Sequence, residues 1–372
     1  MRSCWVASVL ACFCTSAAAQ DYDPIDLSGF RDGIGHWQRA HGRDRNDARY
    51  EPSQIVEIAD NLLAHQHADG GWPKDIDWLA IIDLAEVRAI GGANYERSSF
   101  DNRNTYPQVQ YLARVYAITG EERFRNAAAR GLDYILAEQR PSGGWPGWDV
   151  DAITYNDDVM TGVMELLQDI RNGAPEFAWL DETRRARLSD ALDRAIDVTL
   201  ACQIEVNGRK TGWCQQHDHE TLAPVKARTY ELPSIGGPET VSVVNFLMSL
   251  PEPSPAIMEA IDAAVAWLDA ARIEGIRIER FAIPPERFKS YTATEDVRIV
   301  EDPDAPALWA RYYDLETGKP FFCNRDGIKV NSLAEVQLER RAGYAWYGAW
   351  AAQLLERDYP AWKQRHDASQ RL

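Results

Sequence analysis

The chain has 372 residues, 26% of them charged, and its 40 Lys and Arg face 57 Asp and Glu for a formal net charge of −17. That balance speaks against nucleic acid or an anionic membrane surface as a partner, because both reward excess Lys and Arg. It also sets a problem for any polyanionic substrate, which would need a local cationic patch or a bound divalent metal to receive it.

Met1-Arg2, the apolar run from Trp5 to Phe13 and then Ala17-Ala18-Ala19 have the charged start, short apolar stretch and small-residue cleavage site of a secretory signal peptide, residues 1–19. The mature protein is therefore expected to be secreted or periplasmic. The run is too short to span a bilayer, and no later stretch approaches the ~20 apolar residues of a spanning helix. Cys4, Cys12 and Cys14 leave with the signal; Cys202, Cys214 and Cys323 remain, which permits at most one disulfide. Cys202 and Cys214 lie close enough in sequence to close a small loop, but the pairing stays open. Residues 20–50 read as an N-terminal arm, charged and without period, anchored by Trp37. No linker divides the remainder, so 51–372 reads as a single domain.

Behind Pro52-Ser53 the apolar residues Ile55, Ile58, Ala59, Leu62 and Leu63 fall on one helical face. The same period returns at Val109 to Tyr116, Phe124 to Ile135, Val159 to Ile170 and Leu188 to Ile196, and further helices fit Val241 to Leu250, Ile257 to Leu268 and Leu333 to Leu355. There is no hairpin signal and little alternation, so the expected class is all-α.

An internal repeat refines this expectation. Leu63-Ala64-His65-Gln66 leads to Gly70-Gly71-Trp72-Pro73; Leu136-Ala137-Glu138-Gln139 leads to Gly143-Gly144-Trp145-Pro146; Leu200-Ala201-Cys202-Gln203 leads to Gly212-Trp213. The glutamines stand 73 and 64 residues apart, room for a helical hairpin each time. Hairpins of this kind build an (α/α) toroid or barrel, with irregular loops gathered at one end as a cleft.

The stretch from Thr211 to Pro233 has neither helical nor strand period and gathers Gln215, Gln216, His217, Asp218, His219, Glu220, Lys226, Arg228, Tyr230 and Glu231. A segment that polar is a loop and a candidate site. Asp101 and the Asn156-Asp157-Asp158 cluster both precede helices and follow Gly-Trp units. They are N-caps, or oxygen ligands for a hard cation such as Ca²⁺. His217 and His219 are satisfied loop histidines, or acid–base or metal groups. Trp72, Trp145 and Trp213 are core, or platforms for sugar rings. Arg228, Arg311 and Arg325 are surface cations, or rigid bidentate readers of carboxylates.

The ordered motifs Gly-Gly-Trp-Pro-Lys, Phe-Asp-Asn, Gly-Gly-Trp-Pro, Tyr-Asn-Asp-Asp, Thr-Gly-Trp-Cys-Gln-Gln-His-Asp, Pro-Val-Lys-Ala-Arg-Thr-Tyr-Glu-Leu-Pro-Ser, Leu-Trp-Ala-Arg-Tyr-Tyr-Asp and Asn-Arg-Asp-Gly span roughly Gly33 to Gly348, the last of them being Glu-Arg-Arg-Ala-Gly-Tyr-Ala-Trp-Tyr-Gly. In this order they make the chain similar to polysaccharide lyase family 10 pectate lyases. The resemblance implies an (α/α) toroid that cleaves polygalacturonate by calcium-assisted anti β-elimination. It implies that Asp101 with Asp157 or Asp158 approaches Ca²⁺, that Arg228 is the Brønsted base, and that Arg311, Lys226 and Arg325 bind uronate carboxylates, with Trp213 and Tyr230 completing the substrate-binding set. The chain departs from the resemblance at Arg103-Asn104-Thr105, where Gly-Ala-Thr is usual, so Arg103 adds a charge near the cation.

The chemistry suits these residues. Removing the C5 proton of a uronate places charge on its carboxylate, where a divalent cation and arginines stabilise it, and no Ser or Cys nucleophile is needed. An arginine base is expected to need a lowered pKa, supplied by Lys226 or the cation, and to favour alkaline pH. A glycoside hydrolase using Asp101 and Asp158 as an acid–base pair and a non-catalytic pectin-binding protein are the rival readings. The polymer is the one partner expected, with neither nucleic acid nor membrane, and the chain is taken as a monomer.

Overall fold

The computed structural model describes residues 22–41, 45–289 and 291–369. The expected signal peptide, 1–19, lies outside the described residues. Helices account for 47% of the chain. They are α1 (Arg31–His41), α2 (Ile55–His65), α3 (Leu84–Gly91), α4 (Tyr106–Thr119), α5 (Glu122–Glu138), α6 (Val159–Arg171), α7 (Glu182–Ala201), α8 (Gly237–Ser249), α9 (Pro255–Ala270), α10 (Leu338–Gly343) and α11 (Tyr359–Ser369). Within the expected arm, α1 buries Trp37 and adds a helix where the sequence shows no period. No helix among the described residues is long and apolar enough to cross a membrane.

The repeat builds three antiparallel pairs, α4 with α5, α6 with α7 and α8 with α9, laid side by side, while α2 packs on the first pair. Each buried face is the apolar stripe of the sequence: Phe124, Ala127, Ala128, Leu132 and Ile135 of α5 are fully buried, as are Leu188, Ala191, Leu192 and Ala195 of α7. Gly131 lets α5 approach α4 closely, since a Cβ there would meet Val109 at 2.3 Å.

The repeat has a mechanical explanation. Each tryptophan indole N–H donates to a carbonyl in the last turns of its helix: Trp72 to Leu62 (2.8 Å), Trp145 to Ile135 (2.8 Å) and Trp213 to Thr199 (2.7 Å). These bonds satisfy carbonyls that a helix end otherwise leaves open. Each glutamine amide then donates twice, once within its loop and once to the helix of the following pair: Gln66 to Gly70 and Ala127, Gln139 to Gly143 and Ala191, Gln203 to Thr211 and Ala260. A fourth unit follows the same rule, because Trp309 donates to Leu268 at 2.7 Å. Its Trp lies 41 residues from its carbonyl partner, against 10 in the first unit, so spacing alone does not reveal it.

The insertion that hides the fourth unit overturns the all-α expectation. Ile276–Arg287 and Thr292–Glu301 pair as a long antiparallel hairpin. Pro284-Pro285 fall inside the first strand at an irregularity between Ala282 and Glu286, where proline is tolerated, and they mask the strand in the sequence. Short antiparallel ladders stitch the other loops, such as Ile153-Thr154 with Gln216-His217 and Ile235-Gly236 with Tyr312-Tyr313. The expected helix Leu333 to Leu355 is broken into a 3-10 turn, α10, a ladder at Tyr347-Gly348 and a π turn at Leu354–Asp358. Its aromatic residues Tyr344 and Trp346 pack instead on Tyr312 in a second core. Among the described residues no extensive packing joins α8 or α9 back to α2, so the helical pairs do not close into the expected toroid. Cys202, Cys214 and Cys323 are free and buried.

Two stability predictions follow from satisfied and unsatisfied groups. Arg130 and Arg194 donate to the glutamine oxygens of Gln66 and Gln139, whereas the matching position in the third unit is Ala263 and the buried Gln203 Oε1 has no partner among the described residues. Ala263→Arg should supply the missing donor and add about 1 kcal/mol, a rise of about 2 °C in thermal midpoint. His217 is fully buried; its Nδ1–H donates to Leu222 at 2.8 Å and its Nε2 accepts from the Cys214 N–H at 2.9 Å, a pattern only the neutral ring can make. Burial pushes its pKa down to about 4. The unfolded chain therefore binds the extra proton first, and stability present above pH 6.5 drains as pH falls toward 4. Denaturant titrations should show this loss to be roughly 2 to 3 kcal/mol smaller in His217→Gln than in the unmodified protein.

Candidate active site

The Gly-Trp loops and the chain from Thr211 to Tyr347 meet at one end of the helical pairs, joined by the short ladders. Two turns there are strained. Asn102, Arg103 and Thr105 have φ of 56, 54 and 70°, and Asp157 and Asp158 have 52 and 55°. Left-handed backbone is costly for these residues and persists only where the surroundings fix it. The fixing bonds are visible: the Asn104 amide donates to Trp72 and Ser99 carbonyls (2.7 and 2.9 Å), and the Thr105 hydroxyl donates to Ser99 (2.7 Å). The helices behind these turns have Thr105 and Asp158 at their N-cap positions, neither making a side-chain cap bond, so neither Asp101 nor Asp157 is an N-cap.

Asp101 is buried and ion-paired with Lys74, whose Nζ also lies 3.8 Å from Asp75. Asp157 is surrounded by charge: burial and then Asp101 raise its pKa well above the carboxylate range, while Arg228 opposes the rise. Asp149, which the sequence does not single out, lies 3.7 Å from Arg228 Nε; packing around it raises its pKa, Arg228 opposes this and Asp101 adds to it. Asp101, Asp149 and Asp157 thus share one field with Arg228. Asp158 does not join them. Its carboxylate takes the Arg103 guanidinium and the Ser242 hydroxyl (2.7 Å) and lines a cavity of about 450 Å³ between α4, α6 and α8.

Arg228 is held by Glu231, which is buried, and lies over Tyr230 at 5.2 Å. Burial works to lower its pKa, but the Glu231 carboxylate outweighs burial and the pKa is raised. The expected downward shift is therefore absent. Lys226 is exposed, with no ion-pair partner among the described residues, and is not among the main influences on Arg228. Arg311 donates from Nε to the Ala345 carbonyl (2.8 Å), lies 3.7 Å from Glu239, and sits over Tyr344 and Trp350 at 4.6 and 5.5 Å. Arg325 makes a bidentate pair with Glu339 (2.8 Å each). Glu339 also takes Arg340, and the two guanidinium groups overcome its burial to hold its pKa down at about 2.

Trp213 and Tyr230 lie beneath the surface of the site. Trp213 is fully buried with its N–H committed to Thr199, and Tyr230 is 2% exposed beneath Arg228, Arg325 and Arg340. Both are supports.

A buried chain of hydrogen bonds connects the two sides of the site. The Gln215 amide donates to Asn156 and Glu239 (2.9 Å each), its oxygen accepts from Tyr312 (2.9 Å), Tyr312 in turn accepts from Tyr344 (2.7 Å), and the Tyr344 hydroxyl oxygen lies 3.4 Å from the Glu231 carboxylate. Gln215 and Glu231 are visible in the polar loop of the sequence, and Lys74 and Tyr344 fall within its ordered motifs without a role, whereas nothing local marks Asp149 as a site residue.

Among the described residues no three His, Cys, Asp or Glu side chains form a ready metal cage. What the carboxylates share is a field: Asp101 opposes the ionisation of both Asp149 and Asp157. Carboxylates are hard oxygen donors, the type a divalent cation takes together with water and ligand oxygens.

No curated protein matches the chain. Two solved structures from Cellvibrio cellulosa do. One is an aspartate-to-alanine variant of a family 10 polysaccharide lyase in complex with trigalacturonic acid, 29% identical, with a TM-score of 0.69 over 81% of this chain and 91% of that one. The other is a family 10 polysaccharide lyase, 27% identical, with a TM-score of 0.67 over 89% and 96%. The family described as pectic acid lyase matches residues 66–355, well over half the sequence, and with the paired Asp–Arg geometry inside that span the chain belongs to the pectic acid lyase family.

Proposed function

We propose that this pectate lyase cleaves the α-1,4 bond of polygalacturonate by calcium-assisted anti β-elimination, leaving a 4,5-unsaturated sugar at the new end. The observation that carries the reading is the shared field of Arg228, Asp149, Asp157 and Asp101 in a chain of the pectic acid lyase family.

In this reading Arg228, in its neutral form, takes the C5 proton of the uronate. The C5–H electron pair becomes the C4=C5 double bond as the C4–O bond breaks, and the departing oxygen is protonated by solvent. Arg311, fixed between Tyr344 and Trp350, presents a guanidinium of set direction to a sugar carboxylate. Bound by Asp101 and Asp157, with Asp149 beside them, Ca²⁺ would supply positive charge to the uronate carboxylate as the anion develops. Glu231 and Asp149 hold the proton on Arg228, so the active fraction is small at neutral pH and grows as pH rises. Against the hydrolase reading stands Asp158, whose carboxylate is engaged by Arg103 and Ser242 and lines a cavity to which Asp101 does not contribute. Export of the protein by its N-terminal signal remains part of this proposal.

Arg228→Lys should reduce the ultraviolet-absorbing unsaturated product from polygalacturonate by roughly 10² to 10⁴-fold while leaving polymer binding in place. An unchanged rate would remove Arg228 from the role of base. A chelator should abolish product formation by the unmodified protein and added Ca²⁺ should restore it. Chelator-resistant release of saturated sugar would favour hydrolysis.

A further inference from the structure

Trp148 differs from the repeat tryptophans beside it. Trp72, Trp145, Trp213 and Trp309 are fully buried and each donates its indole N–H to a helix carbonyl. Trp148 is half-buried, lies three residues beyond Trp145, and sits between two cations, with Lys74 Nζ 4.7 Å and Arg97 Cζ 4.1 Å from its ring centroid. The first unit runs Trp72-Pro73-Lys74-Asp75, whereas the second runs Trp145-Pro146-Gly147-Trp148-Asp149, one residue longer. Gly147 makes the longer loop possible, because a Cβ there would meet Thr154 Oγ1 at 2.7 Å. The extra residue places an aromatic ring between Lys74 and Arg97 and puts Asp149 beside Arg228.

The ring forms one wall of a cavity of about 380 Å³, lined also by Arg97, Arg140, Phe100, Tyr134 and Asp149. That is within the range of small-ligand sites. The cavity adjoins the candidate site: its lining residue Asp149 lies 3.7 Å from Arg228, and Lys74, over the Trp148 ring, pairs with Asp101. Its two arginines are unequal. Arg140 is committed to Asp151 and Glu138 at 3.0 and 3.3 Å. Arg97 is exposed, and among the described residues no carboxylate lies within ion-pair distance of it. Its guanidinium is oriented by stacking alone and is available to an anion.

We propose that this cavity is an outlying subsite that receives a further galacturonate unit of the polymer, its carboxylate taken by Arg97 and its ring resting against the Trp148 wall. The proposal rests on the pectate lyase reading and deepens it: chain length beyond the sugars at the broken bond is read at Arg97. A bidentate guanidinium–carboxylate contact at an exposed position is worth about 1 kcal/mol, or roughly fivefold in binding.

The test compares Arg97→Gln with the unmodified protein on long polygalacturonate and on the shortest oligogalacturonate that the unmodified protein cleaves, with Trp148→Phe as a second variant. The expected result for Arg97→Gln is about a fivefold higher KM on the long polymer, kcat within twofold, unchanged kinetics on the short oligomer and an unchanged thermal midpoint. Trp148→Phe, which keeps a ring beneath the guanidinium, should fall between the two proteins. Equal losses on both substrates, or no loss on either, would overturn the subsite. Failure of the unmodified protein to form any unsaturated product would overturn the lyase reading itself, and the sugar identity of the ligand with it.

Discussion

Gln215 has one amide and commits both ends of it. Its nitrogen holds Asn156 and Glu239, and its oxygen is held by Tyr312, all with negligible exposure. A buried polar group costs free energy unless satisfied, so a fully used amide fixes every partner at once. Asn156 fixes the turn that carries Asp157. Tyr312 holds Tyr344, which packs beside Glu231, the residue that holds Arg228. The acidic turn and the basic loop are 59 residues apart where Gln215 meets Asn156, and this chain of bonds keeps them in register.

The strain in those turns is set against the same network. Thr105, β-branched and at φ 70°, and the adjacent Asp157 and Asp158 are unfavourable where they stand. The Asn104 and Thr105 side chains tie the first turn to the Gly-Trp loop of its own unit, and Arg103 ties it to the second turn through Asp158. The residue by which the sequence departs from its family resemblance is therefore a clasp between the turns that present Asp101 and Asp157. Its charge is spent on Asp158 and is not added to the carboxylates of the site.

The parts of this architecture that were legible in the sequence are those encoded locally. Helical faces follow from period, and the repeat follows from a Gln whose partners lie in its loop and the next helix pair and a Trp whose partner lies in the helix just before it. The Thr211 to Pro233 loop is conspicuous because its polarity cannot build a core. What was not legible depends on contacts between distant segments. The fourth Trp unit is displaced by a hairpin whose Pro284-Pro285 conceal its strand character. The run Leu333 to Leu355 has helical spacing, but Tyr344 and Trp346 gain more by packing on Tyr312. Asp149 is one more acidic residue in an acidic chain until Arg228 is seen beside it.

The net charge of −17 then acquires a structural meaning. Lys74, Arg228, Arg311 and Arg325 each face a carboxylate of the protein, namely Asp101, Glu231, Glu239 and Glu339. Such pairs hold the cations in place, because an unpaired guanidinium on an exposed loop samples many rotamers before it meets a ligand. A uronate arriving at these groups does not find bare positive charge; it competes with, or adds to, a carboxylate already present. Recognition of a polyanion by an acidic protein is on this view an exchange of partners among oriented cations, for which the geometry of a few groups matters more than the sum of all charges.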